Sequence, residues 1–156
     1  MPNFKGVPSR TQARLPKRPS TSVLWVRLSN RIHEELLAHA REDAPNECCG
    51  LIGGENGIAK TVYRARNSEA SPLRYNLDPQ DQFRIMTEME EKGEELSAIY
   101  HSHTASPAYP SQTDINLATY PDTLYLIVSL AEGEKDLRGF RIEEGSVAEV
   151  DLELDQ

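Results

Sequence analysis

The run Tyr125-Leu126-Ile127-Val128-Ser129-Leu130 is far too short to span a membrane and too apolar to be a loop. It reads as a strand, and a strand this apolar commits the chain to a sheet with a buried face. Residues 96–103 and 48–53 read the same way. The second run ends in Gly53-Gly54-Glu55-Asn56-Gly57, a turn that returns the chain to a hairpin partner over residues 61–65. Further strands are predicted over 23–28, 73–77, 137–142 and 147–154, the last two joined at Glu143-Glu144-Gly145.

Between the strands lie three helical patterns. Ser29 is placed as the N-cap of a helix whose buried stripe is Ile32, Leu36, Leu37 and Ala40. Asp78 as N-cap and Pro79 as first helical residue announce a second, with Phe83, Met86 and Met89 as its core face and Gly93 as its end. Residues 111–118 form a short third. The whole is a mixed α/β domain of one sheet with about three helices.

At 156 residues the chain has the size of one domain that buries a core without disulfides. Residues 1–21 depart from the pattern, with Pro2, Pro8, Pro16 and Pro19 among polar residues, five cations and no acid. That composition is read as a disordered basic extension ahead of a domain over 22–156. Without those cations, 12 basic residues face 25 acidic ones, a net charge of about −13 that repels nucleic acid. Cys48 and Cys49 are sequence neighbours and make neither a disulfide framework nor a Cys-x-x-Cys motif, so they read as small buried hydrophobes. No apolar run is long enough for a membrane span, and the expected setting is the reducing cytoplasm.

The chemistry lies in the segment His101-Ser102-His103-Thr104-Ala105-Ser106-Pro107-Ala108-Tyr109-Pro110-Ser111-Gln112-Thr113-Asp114. Side chains at i and i+2 of a strand share a face, so His101 and His103 point the same way. Pro107 and Pro110 let the chain double back. Ser111 is then placed as a helix N-cap, with Asp114 in the first turn, where its carboxylate can return toward the histidines. Two imidazoles and a carboxylate match a catalytic zinc site with its fourth position open. A His-x-His alone is more often an ordinary pair of histidines, and Ser111 to Asp114 alone is a capping box; the two together at this spacing outweigh those readings. Glu47, directly before an apolar strand, is the candidate proton-transfer group, and Ser111 the candidate donor to a developing oxyanion. His33 and His39, on the first helix, lack ligand spacing and are read as non-functional.

Glu47 followed by His101-Ser102-His103, seven residues, Ser111, two residues and Asp114 resembles the JAMM (MPN+) metalloprotease motif without a gap. The resemblance implies one zinc ion per chain on His101, His103 and Asp114, Glu47 as general acid/base and Ser111 as stabiliser of the tetrahedral intermediate. It also implies the family fold, a single mixed, mostly antiparallel curved sheet flanked by helices, similar to cytidine deaminase. Glu47-Cys48-Cys49-Gly50, Tyr100 and Tyr109-Pro110 resemble its compact bacterial branch, and the likeness covers roughly residues 23–150.

Only 53 residues separate Glu47 from His101, which leaves little room for the insertions that deubiquitinating relatives use to grip ubiquitin chains. The resemblance therefore implies as partner a ubiquitin-like sulfur-carrier protein, cut after its C-terminal diglycine to release cysteine or another amine. An edge strand beside the site would bind that tail by β-augmentation, with Tyr100 and Tyr109 as contacts. Two other readings stand beside it: an isopeptidase removing ubiquitin-like modifiers from lysine, and a non-catalytic MPN scaffold. The sequence carries no signal of oligomeric state.

Overall fold

The computed structural model describes residues 25–155. The extension predicted over 1–21 and the start of the strand predicted over 23–28 lie outside them. The described chain runs β1 (Trp25–Ser29), α1 (Asn30–Asp43), β2 (Cys49–Glu55), β3 (Ile58–Ala65), α2 (Pro79–Lys92), β4 (Glu95–His103), α3 (Gln112–Leu117), β5 (Leu124–Ser129), β6 (Leu137–Glu143) and β7 (Ser146–Asp155). Its strands make one seven-stranded sheet in the order β1-β7-β6-β5-β4-β2-β3. β1 with β7 and β4 with β5 are parallel, and the other pairings are antiparallel. The sheet curves until its edge strands β1 and β3 touch, and α1 lies across the face that this curvature closes. Among the described residues no helix is long and apolar enough to cross a membrane.

α1 starts where Ser29 Oγ accepts the Ile32 N–H at 3.2 Å. Ile32, Leu36, Leu37 and Ala40 then fall on one stripe at helical spacing and are buried against the sheet, as the sequence predicts. The central strands divide their side chains between two cores by simple alternation. Cys48, Ile52, Ala98 and Tyr100 join the α1 side, whereas Cys49, Leu51 and Ile99 join the side covered by α2. Gly50, paired with Tyr100, is needed at its position: a Cβ there would meet the Tyr100 ring and the Tyr63 carbonyl.

α2 begins on the predicted cap, Asp78 accepting the Asp81 N–H at 3.1 Å, and ends at Gly93 with φ 74°. Of its expected core face, Met89 is buried and Met86 packs half-buried against the core, but Phe83 does not. Ile85 and Met89 are buried one turn apart, and Phe83 is 75% exposed. A residue two places from Ile85 lies about 200° around the helix, so a stripe through Ile85 turns Phe83 outward.

The strand predicted over 73–77 is an irregular loop with one isolated bridge, Leu77 to Asn67. Pro72 supplies no N–H, and the loop's backbone groups bond to the Asn67 side chain instead of to a neighbouring strand.

Candidate metal centre

β4 delivers His101 and His103 at its C-terminal end, both on the α2 side of the sheet. The chain then loops over Pro107 and returns through α3. Ser111 caps that helix: its Oγ accepts the Asp114 N–H at 3.0 Å, and Asp114 Oδ2 accepts the Ser111 N–H at 2.9 Å. This reciprocal box aims the same carboxylate oxygen at both imidazoles, 3.1 Å from His101 Nε2 and 3.1 Å from His103 Nε2. All three side chains are buried. The predicted trio is therefore assembled, with its donor atoms within 4.8 Å of one another.

Hydrogen bonding and burial act on these groups in opposing directions. His103 Nδ1–H donates to Pro107 O at 2.8 Å, which fixes Nε2 as the ring nitrogen turned toward Asp114. Burial holds His101 below its ordinary value, against the pull of Asp114. Burial also opposes charge on His103, but Asp114 and the Pro107 carbonyl outweigh it and raise its value. For Asp114 burial works toward the neutral acid, yet the hydrogen bonds with His101 and His103 hold its carboxyl well below the usual range.

Two observations fit this trio to a metal ion. Zinc bonds of about 2.0–2.1 Å in a tetrahedron put donors roughly 3.3 Å apart, near the N···O separations found here. Two buried polar atoms among the described residues, Glu47 Oε1 and His101 Nδ1, also lack any hydrogen-bond partner. Such orphans are rare in a finished core, and Glu47 Oε1 fits a polar guest at the site, whereas His101 Nδ1 lies on the ring edge away from the Nε2 turned to Asp114.

Glu47 precedes β2 and is 4% exposed. Ser102 N donates to Cys48 O at 3.1 Å, and Cys48 N donates to Ser102 Oγ at 2.8 Å, so the β2–β4 pairing runs past its last ladder pair, Cys49 with His101. Continued one step, it sets Glu47 opposite His103 on the same face. Burial pushes the Glu47 carboxyl up to about 7, with His103 pulling it back and Asp114 adding to the rise. A buried carboxyl under the influence of His103 can take a proton and return it. Ser111 is exposed at the mouth of the trio; its oxygen is occupied by the Asp114 N–H, and its O–H remains to donate.

Other expectations need correcting. Tyr100 does not face the site: it is fully buried on the α1 side, with its hydroxyl 2.7 Å from His39 Nδ1. Tyr109 stays 48% exposed with its ring edge-on to Phe140. Among the described residues β2 and β4 are paired on both sides, and the sheet edge next to them is β3. At the site end of β3, Arg66 O accepts from Asp78 N and Arg66 N donates to Asp81 Oδ2. Cys48 and Cys49 are buried on opposite faces, and burial pushes the Cys48 thiol up to about 12, in keeping with inert hydrophobes.

Two residues beside the site carry no sequence signal. The Tyr75 ring stacks on His101 with centroids 4.2 Å apart, and Asn67 Nδ2 donates to Glu47 O at 3.1 Å. Both lie in the loop between β3 and α2, where no periodic pattern points to a partner.

A family model described as prokaryotic homologs of the JAB domain matches residues 29–143. The chain is 43% identical over 117 residues to the CysO-cysteine peptidase of Mycobacterium tuberculosis, covering 73% of this chain and 80% of that one. It is 38% identical over 104 residues to the desampylase of Haloferax volcanii, covering 62% and 74%. The solution structure of a Desulfitobacterium hafniense protein superposes with a TM-score of 0.76 at 38% identity, covering 84% of this chain and 93% of that one.

Proposed function

The chain belongs to the prokaryotic JAB family, and from that membership we propose that it is a zinc-dependent JAMM peptidase cutting the amide bond after the C-terminal diglycine of a ubiquitin-like sulfur-carrier protein. The observation that carries the reading is the convergence of His101 Nε2 and His103 Nε2 on one Asp114 oxygen, with the buried Glu47 Oε1 left without a hydrogen-bond partner. The relatives named for cleaving such carriers support the substrate class.

His101, His103 and Asp114 hold the metal. When bound, zinc acts as a Lewis acid and lowers the pKa of its water toward neutrality. Glu47 takes the proton from the attacking water and hands it to the departing amine, and its burial favours the protonated form it holds between the two transfers. Ser111 O–H donates to the oxygen that gains charge as the carbonyl becomes tetrahedral. His103 keeps one tautomer throughout, because Pro107 O holds its Nδ1–H. Direct attack by water fits the two thiols, which are buried and which burial disfavours as thiolates.

The test incubates the protein with a sulfur-carrier fusion bearing cysteine after its diglycine, and with one bearing a lysine isopeptide there, each with and without chelator. Chelator-sensitive release of cysteine is the expected result. Cleavage of the lysine conjugate alone moves the reading to the isopeptidase, which the likeness to a desampylase favours. Cleavage of neither by zinc-loaded protein discards the substrate.

A further inference from the structure

Asn67 uses its carboxamide to capacity. Nδ2 donates to Glu47 O at 3.1 Å and to Arg74 O at 3.0 Å, while Oδ1 accepts from Glu69 N at 2.9 Å and Asn76 N at 3.0 Å. An amide offers two donors and one oxygen with two lone pairs, so nothing remains for a further ligand. The partners also fix its orientation, because carbonyls only accept and backbone N–H groups only donate. Asp at this position would keep the accepting half and lose the donating half.

The other side of Glu47 is bonded to the same loop, its N–H donating to Ser71 O at 2.9 Å. Glu47 lies outside β2, two residues ahead of the first ladder pair, Cys49 with His101. Sheet hydrogen bonds hold Cys48 and its successors, whereas Glu47 is bonded at both backbone groups to the loop between β3 and α2. That loop also lays Tyr75 flat on His101. One saturated side chain thus organises the segment that grips the backbone of the acid/base residue and covers a metal-binding imidazole.

We propose that Asn67 is a positioning residue, holding Glu47 in register with His101, His103 and Asp114 by clamping residues 67–76 to the Glu47 backbone. The proposal rests on the role assigned to Glu47 above. Proton transfer is sensitive to placement, and a displacement of about 1 Å costs on the order of 10²-fold in rate. Because the carboxamide has no capacity left for substrate, its loss acts on kcat rather than KM.

The test compares wild type, Asn67→Ala, Asn67→Asp and Glu47→Ala in the full chain, with the carrier–cysteine fusion as substrate. Zinc content, kcat, KM and amide hydrogen exchange are measured for each. Both Asn67 variants are expected to keep zinc, to hold KM within about twofold and to lose on the order of 10²-fold in kcat. Exchange at the Glu47 N–H should accelerate at least about tenfold, with Leu51 and Ile99 unchanged. Wild-type kcat and wild-type Glu47 exchange in Asn67→Asp, with Glu47→Ala inactive, overturns the positioning role and leaves Glu47 standing. Full activity in Glu47→Ala overturns the acid/base reading itself. If only Asn67→Ala fails to fold, Asn67→Asp carries the test; if neither folds, Asn67 is a stability residue and the proposal fails.

Discussion

Glu47 feels the charge of His103, and it directly precedes Cys48, which is tied to Ser102 of β4 by two hydrogen bonds, Ser102 N to Cys48 O and Cys48 N to Ser102 Oγ. Glu47→Gln keeps the shape of the side chain and removes its capacity to take a proton. The expected outcome is retained zinc with kcat lowered by about 10²–10⁴-fold. Elemental analysis beside a cleavage assay decides it, and undiminished kcat would remove Glu47 from the chemistry.

Ser111 is proposed to do two things that substitution can separate. Ser111→Ala removes both the cap and the donor, costing about 1 kcal/mol in denaturant unfolding and on the order of 10²-fold in kcat. Ser111→Gly costs only a few tenths of a kcal/mol at an N-cap, so it should approach wild-type stability with the rate loss of the alanine variant. A glycine variant that regains the rate along with the stability would reduce Ser111 to a cap.

Tyr100 braces β4 against α1 through His39, on the face away from the metal site. Tyr100→Phe is expected to lower unfolding stability by about 1–2 kcal/mol, because it leaves a buried imidazole nitrogen short of a partner. KM and kcat of the folded protein should stay within about twofold of wild type. A large rise in KM alone would place Tyr100 against substrate after all.

His39 sits in that brace with Asp43 at 3.4 Å, near Glu42 and Arg64, and burial holds its value below the ordinary 6.5 despite the pull of Asp43. The unfolded chain therefore binds the proton more readily. Stability is unaffected by this group above about pH 6.5 and falls as the pH drops below it. Denaturant midpoints at pH 7.5 and pH 5.0 should fall further for wild type than for His39→Gln. Equal falls in the two proteins would show that His39 is not a source of the acid sensitivity.

What the sequence made legible was governed by local rules. Strand alternation set His101 and His103 on one face, and the Ser111 cap returned Asp114 to them; both depend on neighbours within a few residues. The α1 stripe followed from helical spacing in the same way. Tyr100 is the instructive miss: alternation already placed it opposite its neighbour His101, but proximity in sequence was read as proximity to the site. Met89 fits a stripe with Phe83 and Met86 as well as one with Ile85, and only packing against the sheet turns Phe83 outward. Asn67 and Tyr75 were invisible for a different reason. Their contacts with Glu47 and His101 join loop residues 20 or more positions away, and no periodicity encodes them.

The central claim is that His101, His103 and Asp114 form the metal site. Its most direct test is elemental analysis of purified wild type, His101→Ala and Asp114→Ala after dialysis against zinc and then metal-free buffer, with circular dichroism checking that each variant is folded. The account predicts about one zinc per wild-type chain and loss of most of it in both variants. Undiminished zinc in both folded variants would contradict it.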